Sequence, residues 1–331
     1  MRLKLGCCIT LLEVIPIKIG FIGPGKVGVN LGRYFTHKGI EVSGFYGKNI
    51  ESTKEASIIT NSRLYNNYEE IIKDSEILFI TTPDDIISII DIEISKYDLK
   101  NKSVCHASGS LKSTVLSNAK LSGALIYSIH PMFAFSNKNI SIEELDKIYF
   151  SIEGDLNTKS INNIPVINFM KTLGNKYFQR NINYSSTYHL ANVFVSNLVL
   201  SLLDIGTSYL KKIGLTEKEA LDALFPLIQG NLENIHENGF INSLTGPVVR
   251  GDLNTIKKHL EVLESEDRDI YNSLSLNLLK LTVKQNMKLF ESNENKNINR
   301  SYLDDSEKVL EKIINLSQKH NEIFKLLGGL E

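Results

Sequence analysis

The sequence predicts an α/β domain built on a parallel sheet, followed by an all-helical domain. Three observations carry this reading. Short β-branched runs without polar alternation recur up to residue 152, as expected of strands buried on both faces of a sheet. Helical segments separate these runs in the first half, and after about residue 155 helical periodicity takes over to the end. A chain of 331 residues is long enough for two domains, each with its own core.

Residues 17–23 read as a short apolar strand ending in a glycine turn. Residues 27–38 read as a helix with Val27, Leu31, Tyr34 and Phe35 on one face and Gly39 as its stop. Strands follow at 40–46, 62–65, 76–82, 103–107, 125–129 and 148–152, with a brief helix at 68–73. In the second half the helical segments are 161–173, 185–212, 216–238, 252–291 and 301–327, with a polar loop at 292–299. This gives an extension (1–16), a sheet domain (17–154) and a helical domain (155–331). The extension carries Leu5-Gly6-Cys7 after an apolar stretch too short for a signal segment, and is expected to be poorly ordered.

The 42% hydrophobic and 23% charged residues are ordinary for a globular protein, and the net charge of −1 gives no global basic surface for nucleic acid. No unbroken run of about 18 apolar residues occurs, so no membrane span is expected and the cytoplasm is the expected compartment. Cys7, Cys8 and Cys105 match neither a disulfide framework nor a metal site; Cys105 reads as a buried, inert thiol.

Gly23-Pro24-Gly25-Lys26-Val27-Gly28 has G-x-G-x-x-G spacing between a strand and a helix. The first glycine permits the turn, the second lets backbone approach a pyrophosphate, and the third lets helix and strand pack closely. The motif marks a Rossmann-like dinucleotide site. After the second strand, Phe45-Tyr46-Gly47-Lys48-Asn49 carries no acid for a ribose 2′-hydroxyl, and Lys48 suits a 2′-phosphate, so NADPH is the expected cofactor. Thr82, Pro83 and Asp84 close the 76–82 strand and are candidates for cofactor contact, or for capping the next helix.

Polar residues gather at four further places. Ser108 follows the fifth strand, where it either bonds substrate or caps a turn. His130 follows the sixth and is placed to move the proton that accompanies hydride transfer, or to bond backbone at a turn. His189, Asn192 and Ser196 share one helix face, with Asn197 beyond; such a stripe needs partners in the protein or in a substrate. Thr245 and Arg250 lie on a helix connection, and the planar fork of Arg250 suits a substrate carboxylate or a structural pair with Asp252.

The order of these motifs, with Pro83-Asp84, His106-x-Ser108-Gly109, His130-Pro131, Tyr188-His189, Leu244-Thr245-Gly246-Pro247 and Arg250-Gly251-Asp252, resembles a bacterial family. Its members join a Rossmann-like domain to a helical domain long of unknown function, within the 6-phosphogluconate dehydrogenase-like group. The resemblance covers residues 17 to 285. It implies an NADP-dependent oxidoreductase, with the alternative type of ketopantoate reductase, which makes pantoate for pantothenate and coenzyme A, as the leading expectation. Similarity to the better-known ketopantoate reductases sets His189 where they carry a catalytic lysine, with Asn192 and Asn197 orienting substrate. Their late-helix glutamate has no equivalent here. Similarity to prephenate dehydrogenases supports Ser108 and His130 at the substrate hydroxyl. The expected proton donor is His130 or His189, and the expected assembly is a homodimer. A pyrroline-5-carboxylate reductase-like enzyme, a prephenate-type dehydrogenase and a non-catalytic dinucleotide-binding regulator are the alternatives.

Overall fold

Side chains along the first-half strands alternate between two apolar layers, and this alternation builds the larger core. The computed structural model describes residues 17–156, 164–294 and 317–328. The 1–16 extension with Cys7 and Cys8, the start of the 161–173 segment, most of the 292–299 loop and much of the 301–327 segment lie outside the described residues.

One sheet contains β1 (Lys18–Ile22), β2 (Glu41–Tyr46), β3 (Arg63–Leu64), β4 (Ile77–Ile80), β5 (Ser103–His106), β6 (Leu125–Met132), β7 (Tyr149–Gly154) and β8 (Tyr177–Gln179). Their spatial order is β3-β2-β1-β4-β5-β6-β7-β8. Pairings up to β6 are parallel, β7 runs antiparallel to β6, and β8 is parallel to β7. Between them lie α1 (Lys26–His37), α2 (Ile50–Ile59), α3 (Tyr68–Asp74), α4 (Asp84–Ile94), α5 (Ser117–Leu121), α6 (Ile142–Leu145) and α7 (Ile164–Leu173).

β4 shows why the sheet must be covered twice. Ile77 and Phe79 join one cluster with Val29, Leu31 and Phe35 of α1 and Phe169 of α7. Leu78 and Ile80 join the other, with Ile71 of α3 and Ile87 and Ile90 of α4. Each fully buried side chain of this kind contributes about 1.5–3 kcal/mol. Cys105 is fully buried and its thiol is pushed far up by that burial, as an inert core residue requires.

The α/β-then-helical order is as expected, with one addition. β8 falls in the half read as wholly helical, because three residues are too few to show a period. The first unit therefore continues to Val199, and the second begins at Leu200. Two long helical segments are also broken. The 185–212 segment divides into α8 (Ser185–Val195) and α9 (Asn197–Lys212) at Ser196, whose hydroxyl donates back to the Asn192 carbonyl (2.7 Å). α10 (Glu217–Asn242) starts at a Thr216/Glu219 capping box and leaves helical geometry at Gly239, where φ is +73°. After α11 (Pro247–Arg250), the 252–291 segment divides into α12 (Leu253–Val262) and α13 (Arg268–Glu294). Tyr209 makes that break: its hydroxyl accepts from Glu264 N–H and donates to Asp267, both at 2.9 Å.

The core of the second unit is small, with Val248, Ile256, Leu279, Ile323 and Leu327. Phe225, Leu227, Leu232, Phe240 and Val262 are exposed on its surface. One stretch, Ile182–Lys212, has 31 residues that are long and apolar enough to cross a membrane, by length and composition only. No unbroken run marks it, because Asn183, His189, Asn192, Asn197 and Asp204 interrupt it.

Candidate active site

The glycine turn is locked against the ends of its neighbouring strands. Gly23 adopts φ +115° and donates its N–H to Tyr46 O (2.9 Å), while the Thr81 hydroxyl donates to Gly23 O (2.7 Å). A Cβ on Gly28 would meet Gly23 O at 2.4 Å, so this glycine sets the close approach of α1 to the turn. Gly25 differs: a Cβ there would meet only Thr81 O, at 3.8 Å, and the residue is exposed. It is the N-cap of α1 and supplies no capping side chain. The first-turn amides of Lys26, Val27 and Gly28 therefore face an open cradle at a helix N-terminus, which suits a phosphate.

Other features of the turn also fit a dinucleotide. Thr82 Oγ1 is buried without a hydrogen-bond partner among the described residues. Pro24 abuts Gly47, where a Cβ would meet Pro24 Cδ at 2.5 Å, so the end of β2 touches the cradle. Lys48 is exposed beside it, ahead of Asn49, which caps α2 by accepting from Ser52 N–H (2.9 Å). Pro83 is the N-cap of α4. Asp84 opens that helix and accepts from Ser108 Oγ (2.8 Å) and from Ser110 Oγ. The Asp84 carboxylate thus ties α4 to the turn after β5.

Ser108 is committed to that turn, since its hydroxyl also accepts from the amides of Ser110 (3.2 Å) and Leu111 (3.1 Å). His106 is fully buried: Nδ1 accepts from Ser108 N–H (3.2 Å) and Nε2 faces Lys112 O (3.2 Å). Burial lowers its pKa to about 4, so it serves as a neutral buttress.

Beyond β5 one sheet face changes character. The apolar layer carries Ile126, and the next positions on that face of β6 are Ser128 and His130. In register across the sheet, His106 sits opposite Ser128, Ser128 opposite Glu153, and His130 opposite Ser151. Glu153 accepts from Ser113 N–H (2.8 Å) and Ser113 Oγ (2.6 Å), and its carboxylate lies 4.0 Å from Arg180. Arg180 donates to Gly109 O (3.3 Å) and Ser128 Oγ (3.1 Å) and stacks on the Tyr188 ring, 4.4 Å from its centroid. Tyr188, on α8, meets His130 Nδ1 at 2.5 Å. Burial first, then the Arg180 charge and His189, holds the His130 imidazole at about 4.

Asp84, Ser108, His130 and His189 are thereby gathered about one set of strand ends. His189 is exposed on the same helix turn as Tyr188, and its charge acts on His130. Asn192 donates to Tyr188 O (2.8 Å), and the Asn197 side-chain oxygen lies 3.0 Å from Ser196 Oγ. Thr245 and Arg250 belong to the second unit, where Arg250 ends α11 and Asp252 caps α12 by accepting from Thr255 N–H (3.1 Å). Arg180, Glu153, Ser128, Ser151 and Tyr188 were not singled out as site residues in the sequence. The alternating pairs Ser128-x-His130 and Ser151-x-Glu153, polar on one face of otherwise apolar strands, were the available signal.

Residues 11–131 match the family described as a Rossmann-like domain, and residues 148–278 match a domain of unknown function, DUF2520. No curated protein matches in sequence. Several solved structures share the fold. A Bacteroides fragilis protein titled as a proposed NADP oxidoreductase is 21% identical, covering 81% of this chain and 97% of that one, with a TM-score of 0.61. A Thermotoga maritima protein is 24% identical, with coverages of 81% and 99% and a TM-score of 0.61. A Plasmodium falciparum pyrroline carboxylate reductase with NADP bound is 17% identical, with coverages of 81% and 97% and a TM-score of 0.52. At such identities the likeness establishes the fold. The chain thus resembles a Rossmann-like domain over residues 11–131 and a DUF2520 domain over residues 148–278, in that order.

Proposed function

We propose that this protein is an NADPH-dependent reductase of a small 2-oxo acid, with ketopantoate, the precursor of pantoate, as the leading substrate. The observation that carries the reading is the open Gly25 cradle at the α1 N-terminus, next to the sheet whose β6 carries His130 against Tyr188 of α8. Gly23 to Gly28 would hold the pyrophosphate, with Thr82, Pro83 and Asp84 at its border, and Lys48 the 2′-phosphate. The fold shared with an NADP-bound pyrroline carboxylate reductase favours a second reading, reduction of a C=N bond.

The test is NADPH oxidation by the purified chain with ketopantoate, pyrroline-5-carboxylate and a panel of 2-oxo acids, with product identified by mass spectrometry. A reverse assay with prephenate completes it. Pantoate is the expected product. Turnover of another compound alone would replace the substrate and keep the reaction class, whereas turnover of none would leave a dinucleotide-binding regulator. Lys48→Ala is expected to weaken NADPH about tenfold while leaving NADH unchanged, as loss of one charge-assisted hydrogen bond requires. Equal weakening of both would remove Lys48 from the site.

The exposed Phe225, Leu227, Leu232 and Phe240 support pairing of the second unit with another copy of the chain. Light scattering showing only monomer at micromolar concentration would contradict that homodimer. We place the enzyme in the cytoplasm, where NADPH and 2-oxo acids are available, and assign it no nucleic-acid partner.

A further inference from the structure

We propose that Tyr188 delivers the proton of the reduction, with His130 holding its hydroxyl and Arg180 stacked on its ring. This rests on the reductase reading above. Bound NADPH supplies a hydride to the carbon of a C=O or C=N bond. The π electron pair then moves to the heteroatom, and that atom must take a proton. The donor must carry a proton at neutral pH, stand at the strand ends, and have its conjugate base stabilised.

His130 does not meet the first requirement. Its pKa of about 4 leaves the ring neutral near pH 7, and Nδ1 meets the Tyr188 hydroxyl at 2.5 Å, where a proton on Nδ1 lets the ring donate to the phenol oxygen and leaves the phenol O–H for substrate. In that tautomer Nε2 carries no proton. That nitrogen is packed on backbone, since a Cβ on Gly109 would meet it at 2.8 Å. His130 is therefore a positioning residue, fixing the phenol by an edge-on contact with ring centroids 5.7 Å apart.

Tyr188 carries its proton at neutral pH and stands at those strand ends, and Arg180 offsets part of what burial costs its phenolate. Burial raises its pKa, so the phenol keeps its proton, while hydrogen bonding from Ser151 first, then the Arg180 charge and Asn192, opposes that rise. The guanidinium is fixed by Gly109 O, Ser128 Oγ and Glu153, so its charge is already in place when a phenolate forms. The other groups facing this pair are His106, neutral and buried on β5, Asp84 at the start of α4, and exposed His189 on α8. In the step, the Tyr188 O–H bond breaks as the new bond to hydrogen forms on the substrate heteroatom. The phenolate remains beneath Arg180 and regains its proton from solvent.

Tyr188→Phe tests this in the full chain, assayed with NADPH and the carbonyl and imine panel above. The expected result is a kcat lower by about 100- to 10,000-fold, with NADPH binding and KM within about threefold of the parent. His130→Gln should lower kcat by no more than about tenfold, since it removes a holder and not the donor. The parent kcat should stay level from about pH 5 to 9 and fall only in the alkaline range, as tyrosine ionises. A Tyr188→Phe enzyme within threefold of the parent overturns the proposal and leaves the reductase reading standing. So does a parent profile that falls as pH rises through about 4. If the parent binds NADPH but reduces nothing on the panel, the reductase reading fails and this assignment falls with it.

Discussion

Replacing Arg180 with alanine should lower the unfolding free energy by about 3–5 kcal/mol, the usual cost of stranding one member of a buried ion pair. Glu153 would be left with Ser113 alone on a fully covered sheet face, while Gly109 O and Ser128 Oγ would lose their donor. The 4.0 Å separation from Glu153 is long, so the Coulombic part is not the whole effect. The two hydrogen bonds and the Tyr188 stacking belong to the same loss. Urea unfolding of Arg180→Ala, Glu153→Gln and the double variant apportions it. The double variant should be more stable than Arg180→Ala, because it removes the stranded charge. A loss below about 1 kcal/mol in Arg180→Ala would mean that Glu153 is solvated or protonated without cost.

The second large effect concerns the glycine turn, where two neighbouring substitutions should behave differently. Gly23→Ala forces a side chain onto φ +115° and drives its Cβ to about 3.0 Å from the backbone of Thr81 and Thr82. The turn must shift, so stability should fall by about 1–3 kcal/mol. NADPH affinity should fall by at least about 100-fold. Gly25→Ala meets open space, with its nearest neighbour at 3.8 Å. It should leave unfolding within about 0.5 kcal/mol of the parent, yet weaken NADPH by at least about tenfold, because the methyl occupies the place of the pyrophosphate. Calorimetric titration and thermal unfolding read both. If Gly25→Ala leaves NADPH binding unchanged, the phosphate does not lie on this cradle.

The dinucleotide half of the site was legible because its requirements are local. A tight turn, a close backbone approach and a helix start need glycines at fixed spacing, and Gly23, Gly25 and Gly28 stand in the chain as they stand in space. The α10 start was equally local, set by the Thr216 cap, as was the break inside it at Gly239. The chemical half was only partly visible. His130 and Ser108 drew attention as polar residues after strands, yet nothing in the chain shows that Ser108 is committed to the Asp84 turn. Arg180 follows a strand too short to detect, and it meets Ser128 and Glu153 only because β7 reverses direction beside β6. The 185–212 stripe was read through His189 and Asn192, while Tyr188, one position away, is the residue whose side chain reaches His130. Register across a sheet and the rotation of one helix decide such contacts, and neither is written in spacing along the chain.

The central claim is that a carbonyl or imine substrate is reduced at the Gly25 cradle and Tyr188 pair with NADPH as donor. The most direct measurement is NADPH consumption by the purified chain with ketopantoate and the imine and oxo-acid panel, repeated with NADH. The account predicts steady oxidation proportional to enzyme, faster with NADPH than with NADH, and abolished in Gly23→Ala. Binding of neither dinucleotide, or binding of NADPH with no oxidation by any compound on the panel, would contradict it.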